Sequence, residues 1–402
     1  MSPFIIPIFL PQMGCPYHCL YCNQKLITQS PNQGLTRETF IATVEAGLSS
    51  KKKKQGQEIE IAFFGGTFTN LPEAFQERLL KWAAPYLSGQ SMNVMGLSTH
   101  QPDIDSAIRN PNSAIGISTP SDKNSELRTP NSELGISNPP DTNSTIRNPK
   151  SEIGISSIRI STRPDALSEI KIEQLLASGV GTIELGIQSL EDKVLTLSNR
   201  GHTAQTAFQA LGLLKKYPVR IGVQLMVGLP GDTAGGFLRT VKQVTALKPH
   251  LVRIYPTLVL KDTALSQWFY EGRYHPLSLD ETLSLCSQAL ELLEDNGIRV
   301  IRMGLQENDG LRLGKDLIAG PYHPAFGSLV RGELFLKKVL KGLPSQKPLL
   351  PRLALEISPQ DVSYLTGNKR KNLDRLIREP GISGIKIAVN KSLKAGQWNW
   401  FY

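Results

Sequence analysis

The chain has 402 residues, of which 40% are hydrophobic, which is enough for a large folded domain with a smaller extension. Its four cysteines are too few for a disulfide scaffold, and no apolar run approaches the length of a membrane span. The N-terminal residues lack the pattern of a signal peptide, so we expect a soluble, cytoplasmic protein without a membrane partner. The formal net charge of +10 favours a polyanionic partner such as RNA.

The first element is an apolar run at residues 4–10, which predicts a buried strand. Three cysteines follow it with the spacing C-x3-C-x2-C: Cys15, Cys19 and Cys22. Three thiolates on one loop can hold three irons of a [4Fe–4S] cube, which leaves the fourth iron open for chemistry. Because three of the four cysteines fall within eight positions, the spacing favours a cluster site over incidental cysteines.

A second strand, at residues 59–64, runs directly into Gly65-Gly66-Thr67. A helix that starts at Thr36 precedes this strand, and another helix is predicted from Pro72. Ligands of parallel α/β sheets bind at the carboxyl ends of the strands, and glycines allow a close approach of the backbone. A simple turn is the alternative interpretation, but the cysteine loop one strand earlier favours a ligand.

Residues 106–157 contain a 19-residue repeat that is rich in Ser, Asn, Pro and Thr. The phrase Ser-Ala-Ile-Arg-Asn-Pro at position 106 recurs in related form at positions 125 and 144. Its prolines and its few large apolar side chains argue against a solenoid of short repeats. We interpret this segment as a disordered low-complexity insertion and assign it no chemistry.

Strands alternate with helices again after the repeat, which indicates βαβ units and a parallel sheet. About six strands are predicted up to residue 255, fewer than a closed eight-stranded barrel requires. The fold class is therefore α/β: a partial (β/α)6 barrel at residues 1–276, interrupted by the insertion, with a smaller α+β C-terminal extension at residues 277–402. Cys286 lies on an apolar helical stripe and is expected to pack in the core.

The cysteine loop after the first strand, Gly-Gly after the second and about six βα units resemble the radical S-adenosylmethionine (SAM) superfamily. Tyr21 fits the aromatic residue that precedes the third cysteine in that superfamily. The resemblance implies a radical SAM enzyme with two cofactors, a [4Fe–4S] cluster and SAM. It also implies reductive cleavage of SAM to a 5′-deoxyadenosyl radical, and an electron donor of the flavodoxin or ferredoxin type.

A narrower set of motifs resembles the radical domain of the Elongator catalytic subunit and its bacterial relatives. The motifs begin at Phe63, Ser161, Glu184, Asn199, Gly228 and Tyr255. The resemblance implies tRNA as a candidate partner and a SAM site in which Gly66 and Thr67 meet the methionyl amino end, with Gly65 as a further cofactor contact.

The same resemblance implies that Gln188 and Arg200 face the ribose or the carboxylate of SAM, and that Gln224 lies near the ribose. The amino-end contact is weaker here because Ser161 stands where the Elongator proteins often have Glu. Only about 70 residues follow Arg331, without a clear coenzyme A phosphate loop, so we do not expect acetyl transfer.

Two alternatives stay open at this point. One is a relative of oxygen-independent coproporphyrinogen oxidase, which shares much of this core and acts on a tetrapyrrole. The other is a non-catalytic iron–sulfur protein, such as a paralogue disabled by the repeat. The sequence names no residue as a substrate acid or base, and it leaves the oligomeric state open.

Overall fold

The structure, a computed structural model, describes residues 3–28, 35–50, 54, 56–88, 154–307, 309–343, 353–378 and 385–401. The predicted repeat insertion lies outside the described residues, apart from its last four positions, 154–157. Within those four, Ile155 is buried and Ser157 begins a strand.

Twelve strands are found in the described part of the chain, and most of them lie close to the predicted bounds. They are β1 (Phe4–Phe9), β2 (Ile59–Phe64), β3 (Ser157–Thr162), β4 (Val180–Gln188), β5 (Arg220–Val227), β6 (Leu251–Pro256), β7 (Val259–Leu260), β8 (Arg299–Met303), β9 (Leu317–Ala319), β10 (Leu353–Ile357), β11 (Ile385–Val389) and β12 (Trp398–Phe401).

The α-helices of the described residues alternate with the long strands as expected. They are α1 (Gln24–Thr28), α2 (Arg37–Leu48), α3 (Glu73–Ala83), α4 (Glu169–Ala177), α5 (Asp192–Leu197), α6 (Ala204–Leu214), α7 (Ala234–Leu247), α8 (Ala264–Tyr270), α9 (Leu279–Asp295), α10 (Phe326–Lys341), α11 (Val362–Thr366) and α12 (Lys371–Arg378). Hydroxyl side chains cap six of them at the N-terminus, which fixes where each one begins. The capping residues are Thr36, Ser168, Thr203, Thr233, Thr263 and Ser278.

The main sheet has seven parallel strands in the order β1-β2-β3-β4-β5-β6-β8. Each strand pairs in parallel with the next strand of this order, so the carboxyl ends of all seven lie at one edge of the sheet. The curled sheet remains open because β1 and β8 are its two outer strands. The predicted α/β partial barrel is confirmed, with β8 as one strand more than the six counted from the sequence.

Apolar side chains on both faces of the sheet explain why its strands are buried. All but one residue of β4 are buried, and α7 packs Phe237, Val241 and Val244 inward. The same core contains Cys286 on α9, in agreement with the sequence interpretation.

The C-terminal part has a second core, which begins on α10. The main core extends to Leu334, and the second one starts with Phe335 and Leu336 on the same helix. The two cores therefore meet within α10, and the boundary at 276/277 stays a prediction. The helix α10 was not predicted from the sequence.

Beyond α10, β10 pairs in parallel with β11 and antiparallel with β12, giving a three-stranded sheet. With α11 and α12 this forms the predicted α+β extension. None of the described helices combines the length and the apolar character that crossing a bilayer requires.

Candidate functional site

One cavity of about 1190 Å³ opens at the carboxyl ends of the barrel strands. All ten residues predicted as metal or cofactor contacts line it, although they come from six separate parts of the chain. They are Cys15, Cys19, Cys22, Gly65, Gly66, Thr67, Ser161, Gln188, Arg200 and Gln224. Topology brings them together, because most of them lie at or just after the carboxyl end of a parallel strand, whereas Gln224 lies within β5 and Arg200 follows α5.

The cysteine loop follows β1 and presents three half-buried, unbridged thiols to the cavity. The Cys22 amide donates to the Cys19 carbonyl at 3.0 Å, which turns the loop back on itself. The described residues contain no group of three or more His, Cys, Asp or Glu placed for a single metal ion. A four-iron cube makes a different demand, since each thiolate bonds to its own iron.

Burial, together with the neighbouring Cys19 and Cys15, raises the pKa of the Cys22 thiol to about 12. Cys22 is therefore protonated at neutral pH in the metal-free protein. Binding of iron at this position must release a proton, because the ligand is a thiolate.

The Gly65-Gly66-Thr67 segment packs directly against the cysteine loop. The Gln12 amide donates to the Gly65 carbonyl at 2.7 Å, and the Thr67 amide donates to the Met13 carbonyl at 2.9 Å. A Cβ atom on Gly66 would lie 2.2 Å from the Met13 carbonyl oxygen. Glycine is thus required here by the contact between the two loops, whatever else this segment binds.

Gly14 shows the same constraint from the other side of this contact. Its φ is +70°, and a Cβ atom there would lie 2.4 Å from the Thr67 carbonyl oxygen. Cys15 Sγ lies 3.4 Å from Thr67 Oγ1, so the first cysteine is also tied to the second strand end.

The segment Ser198–Gly201, here called the clamp, contacts the cysteine loop through backbone and side-chain hydrogen bonds. The Leu20 amide donates to the Ser198 carbonyl at 3.1 Å. Asn199 Nδ2 donates to the His18 carbonyl at 2.9 Å. His18 thus contributes its backbone to the shape of the loop.

Two further residues of the clamp contact side chains of the cysteine loop. Arg200 Nη1 donates to Cys19 Sγ at 3.1 Å, and Nη2 donates to the Gly186 carbonyl. Gly201 has a φ of +70°, and a Cβ atom there would lie 2.3 Å from the Tyr17 ring. The motif that begins at Asn199 entered the prediction only through a family resemblance, and its contacts with the cysteine loop were not predicted.

Several buried polar atoms around the cavity have no partner within the described residues. They are Gln188 Oε1, Arg200 Nε and the Tyr21 hydroxyl. Gln188 also adopts a φ of +70°, a conformation that is costly for a residue other than glycine. Such atoms are rare in folded proteins and are expected where a ligand supplies the missing partner.

The donor set fits the implied cofactors. Three thiols on one loop are soft ligands suited to an iron–sulfur cluster, and the unpartnered amide and guanidinium groups suit a polar, zwitterionic molecule beside it. Burial raises the pKa of Tyr21, so its hydroxyl stays neutral and can act as a hydrogen-bond donor.

Gln224 and Ser161 form a small polar group below the rim of the cavity. Gln224 Nε2 donates to Ser161 Oγ at 3.2 Å and to Glu184 Oε2 at 2.9 Å. Because the amide nitrogen is already committed to two protein acceptors, a ligand at this position would meet the carbonyl oxygen of Gln224.

A row of buried charges crosses the middle of the sheet and was not foreseen from the sequence. Arg159 on β3 donates from Nε to Glu60 Oε2 at 2.8 Å and from Nη1 to Glu184 Oε1 at 2.5 Å. Arg253 Nη2 donates to Glu184 Oε1 at 3.1 Å, and its Nε lies at ion-pair distance from Oε2. We call Glu60, Arg159, Glu184 and Arg253 the inner ladder.

The inner ladder has a signal in the sequence that could have revealed it. Each of its members is a single charged residue between apolar neighbours on a predicted strand, as in Ile59-Glu60-Ile61 and Ile158-Arg159-Ile160. A charge on a strand that is buried on both faces must find an opposite charge on a neighbouring strand.

Comparison with protein families agrees with this geometry. The model of the radical SAM superfamily matches residues 137–244, and the model of the radical SAM C-terminal domain matches residues 249–335. These two matches include β3 to β6, β8 and the first half of α10.

Curated relatives share part of their length with this chain. The tRNA uridine(34) acetyltransferase of Methanocaldococcus jannaschii is 33% identical over 137 residues, which are 33% of this chain and 25% of that protein. Human Elongator complex protein 3 is 30% identical over 142 residues, which are 34% of this chain and 25% of that protein. The matched part thus spans about a quarter of the length of these relatives.

Among solved structures, the Elp3 of Methanocaldococcus infernus with an N-terminal deletion has a similar fold. The alignment covers 86% of this chain and 65% of that chain, with a TM-score of 0.52 and 21% sequence identity. The chain is therefore similar to the radical SAM superfamily over residues 137–244 and to the radical SAM C-terminal domain over residues 249–335, and its barrel has a fold similar to that of the archaeal Elp3.

Proposed function

We propose that this protein is an Elongator-like radical SAM enzyme. In this proposal Cys15, Cys19 and Cys22 hold a [4Fe–4S] cluster and SAM binds beside it. When bound and reduced, the cluster would supply one electron to the SAM sulfonium, whose cleavage would give methionine and a 5′-deoxyadenosyl radical for hydrogen abstraction. An electron donor of the flavodoxin or ferredoxin type would be needed in the cell.

The observation that carries the proposal is the convergence of ten residues from six parts of the chain on one cavity. A protein that only stored a cluster would need the cysteine loop alone. Here the cavity also presents unpartnered polar atoms on Gln188 and Arg200, close to the cysteine loop.

In this proposal each side chain of the site contacts a different group of the cofactors. Arg200 orients the Cys19 sulfur through its Nη1 and has Nε left to meet a carboxylate. Gln188 Oε1 accepts from an ammonium or hydroxyl group of SAM, and Gln224 offers its carbonyl oxygen to a ribose hydroxyl. Apolar residues of β1 that line the same cavity exclude water from the reacting atoms; they are Ile5, Pro7 and Phe9.

We further propose that the substrate is an RNA, with tRNA as the first candidate. The M. jannaschii relative is named as a tRNA uridine(34) acetyltransferase. The formal net charge of +10 also suits a polyanion.

SAM cleavage is tested on protein whose cluster has been reconstituted anaerobically. With dithionite and SAM, we expect formation of 5′-deoxyadenosine, measured by chromatography. The Cys19→Ala variant should lose the brown chromophore and the product, whereas Cys286→Ala should keep both, because Cys286 lies in the main core. A fully loaded cluster that yields no 5′-deoxyadenosine would favour a non-catalytic iron–sulfur protein.

The RNA part of the proposal has its own measurement. Transfer RNA should bind the cluster-loaded protein and be released as salt rises, since phosphate contacts are screened by counterions. Co-purification of a tetrapyrrole in place of RNA would instead support the relationship to coproporphyrinogen oxidase.

A further inference from the structure

Arg302 on β8 differs from the other arginines of the barrel interior. Its side chain is half-buried and lines the cavity. Its Nε donates to the Gly304 carbonyl at 3.2 Å. Within the described residues, neither terminal nitrogen has a protein acceptor, and no carboxylate lies within ion-pair distance.

Apart from Arg200, which contacts Cys19, the other interior arginines have their charges matched by carboxylates. Arg159 and Arg253 belong to the inner ladder, and Arg220 pairs with Glu58 and Glu60. Two more cations of the cavity, Lys248 and Arg299, are exposed and are solvated by water. Arg302 is thus a half-buried guanidinium that lines the cavity and has no carboxylate partner among the described residues.

The electrostatic surroundings of Arg302 also favour an anion. Burial lowers its pKa, and the positive charge of Arg253 lowers it further, although Tyr255 acts in the opposite sense. A planar guanidinium with two terminal nitrogens available matches the geometry of a phosphate or carboxylate group.

The position of Arg302 separates this site from the cofactor residues. The cysteine loop follows β1, and Arg302 lies on β8, the outer strand at the other side of the open sheet. The cavity spans both, so a molecule that enters between β1 and β8 meets Arg302 on one side and the cysteine loop on the other.

We propose that Arg302 anchors an oxyanion of the substrate, and that this oxyanion is a phosphate of a nucleotide. The choice of a nucleotide rests on the proposed function. The anion site itself rests on the unmatched guanidinium and the cavity. A carboxylate has the same chemistry, and the experiment distinguishes the two sources.

The test measures calorimetric binding of three probes to cluster-loaded protein: uridine 3′,5′-bisphosphate, uridine and succinate. We expect the bisphosphate to bind the wild type more tightly than uridine does. In Arg302→Gln its binding should weaken by about tenfold to a hundredfold, as expected for loss of a charged hydrogen bond. The matched control Arg299→Gln, on the same strand and exposed, should change it by less than about twofold.

Each other outcome is decisive. Equal losses in Arg302→Gln and Arg299→Gln, or wild-type protein that binds neither oxyanion better than uridine, would overturn the anion site. Loss of succinate binding alone in Arg302→Gln would support the site and assign it to a carboxylate. Arg302→Lys keeps the charge without the fork and should fall between wild type and Arg302→Gln, which guards against a folding defect.

Failure of the proposed function gives a different pattern. Wild-type protein that yields no 5′-deoxyadenosine but binds the bisphosphate through Arg302 would refute SAM cleavage and leave the anion site intact. Wild-type protein that yields 5′-deoxyadenosine without Arg302-dependent binding would do the reverse.

Discussion

The rim of the cavity and the inner ladder both contain buried polar atoms, but they differ in whether those atoms have partners within the protein. At the rim, Gln188 Oε1, Arg200 Nε and the Tyr21 hydroxyl are buried without a hydrogen-bond partner in the part of the chain that the structure describes. In the inner ladder, Arg159 links two carboxylates, and Glu184 has a second arginine as well. One layer leaves groups for a ligand, whereas the other neutralises its charges within the protein.

This difference separates the residues that bind from the residues that support the fold. A buried charge is tolerated only when it is paired, so the inner ladder should be needed for stability in the absence of any ligand. The rim groups gain partners only when a ligand is present, so their loss should affect binding more than folding. The predictions below test this division.

The largest effect is expected at Arg159. Its side chain is 1% exposed, and Arg159→Met would leave Glu60 and Glu184 without one of their cations. We expect the free energy of unfolding to fall by about 3–5 kcal/mol, as for other buried ion pairs that lose one partner. Urea unfolding of the cluster-free protein measures this change.

The matched control is Arg239→Met, because Arg239 pairs with Glu191 at the surface with a side chain that is 62% exposed. This change should cost no more than about 1 kcal/mol. If the two variants lost the same stability, the inner ladder would not be the support that its burial suggests.

The sequence predicted the position of loops well where the signal is local. The cysteine spacing and the Gly65-Gly66 pair are each short patterns next to an apolar strand, and the structure has them directly after β1 and β2. The convergence of these residues then follows from the parallel topology. The resemblance to a family added Gln188, Arg200 and Gln224, which no local pattern could have selected.

Features that depend on strand register were out of reach. Arg159 meets Glu60, which is 99 residues away, and Glu184, which is 25 residues away. Single charges in apolar strands indicate that each one needs an oppositely charged partner. Only the pairing of β2 with β3 and of β3 with β4 identifies which residues those partners are. The contact of Arg200 with Cys19 likewise spans 181 residues.

A smaller effect is expected at Gly201 in the clamp. Alanine at this position would hold a φ of +70° and place Cβ against the Tyr17 ring. We expect Gly201→Ala to lower the free energy of unfolding by about 2–4 kcal/mol, from backbone strain and overpacking together. Thermal or urea unfolding measures this cost, and iron content after reconstitution reports whether the cysteine loop still forms.

Tyr17→Ala provides the control for the steric part. In the double variant Tyr17→Ala/Gly201→Ala the collision is absent, so only the backbone strain of about 1–2 kcal/mol should remain on the Tyr17→Ala background. If the stability losses of the two single variants simply added in the double variant, the Gly201→Ala side chain would not collide with the Tyr17 ring.

The smallest effect is a pH dependence at His202, which follows the clamp and is buried. Burial lowers its pKa to about 4, with help from the nearby Arg200 charge, whereas an unfolded histidine titrates near 6.5. The stability that this shift contributes is therefore complete above about pH 6.5 and is lost as pH falls toward 4. Between pH 7 and pH 5 the loss should be about 2 kcal/mol.

The control is His202→Gln, whose side chain cannot titrate. Between pH 7 and pH 5 its free energy of unfolding should therefore fall by about 2 kcal/mol less than that of the wild type. Parallel curves for the two proteins would mean that His202 is open to water in the folded state.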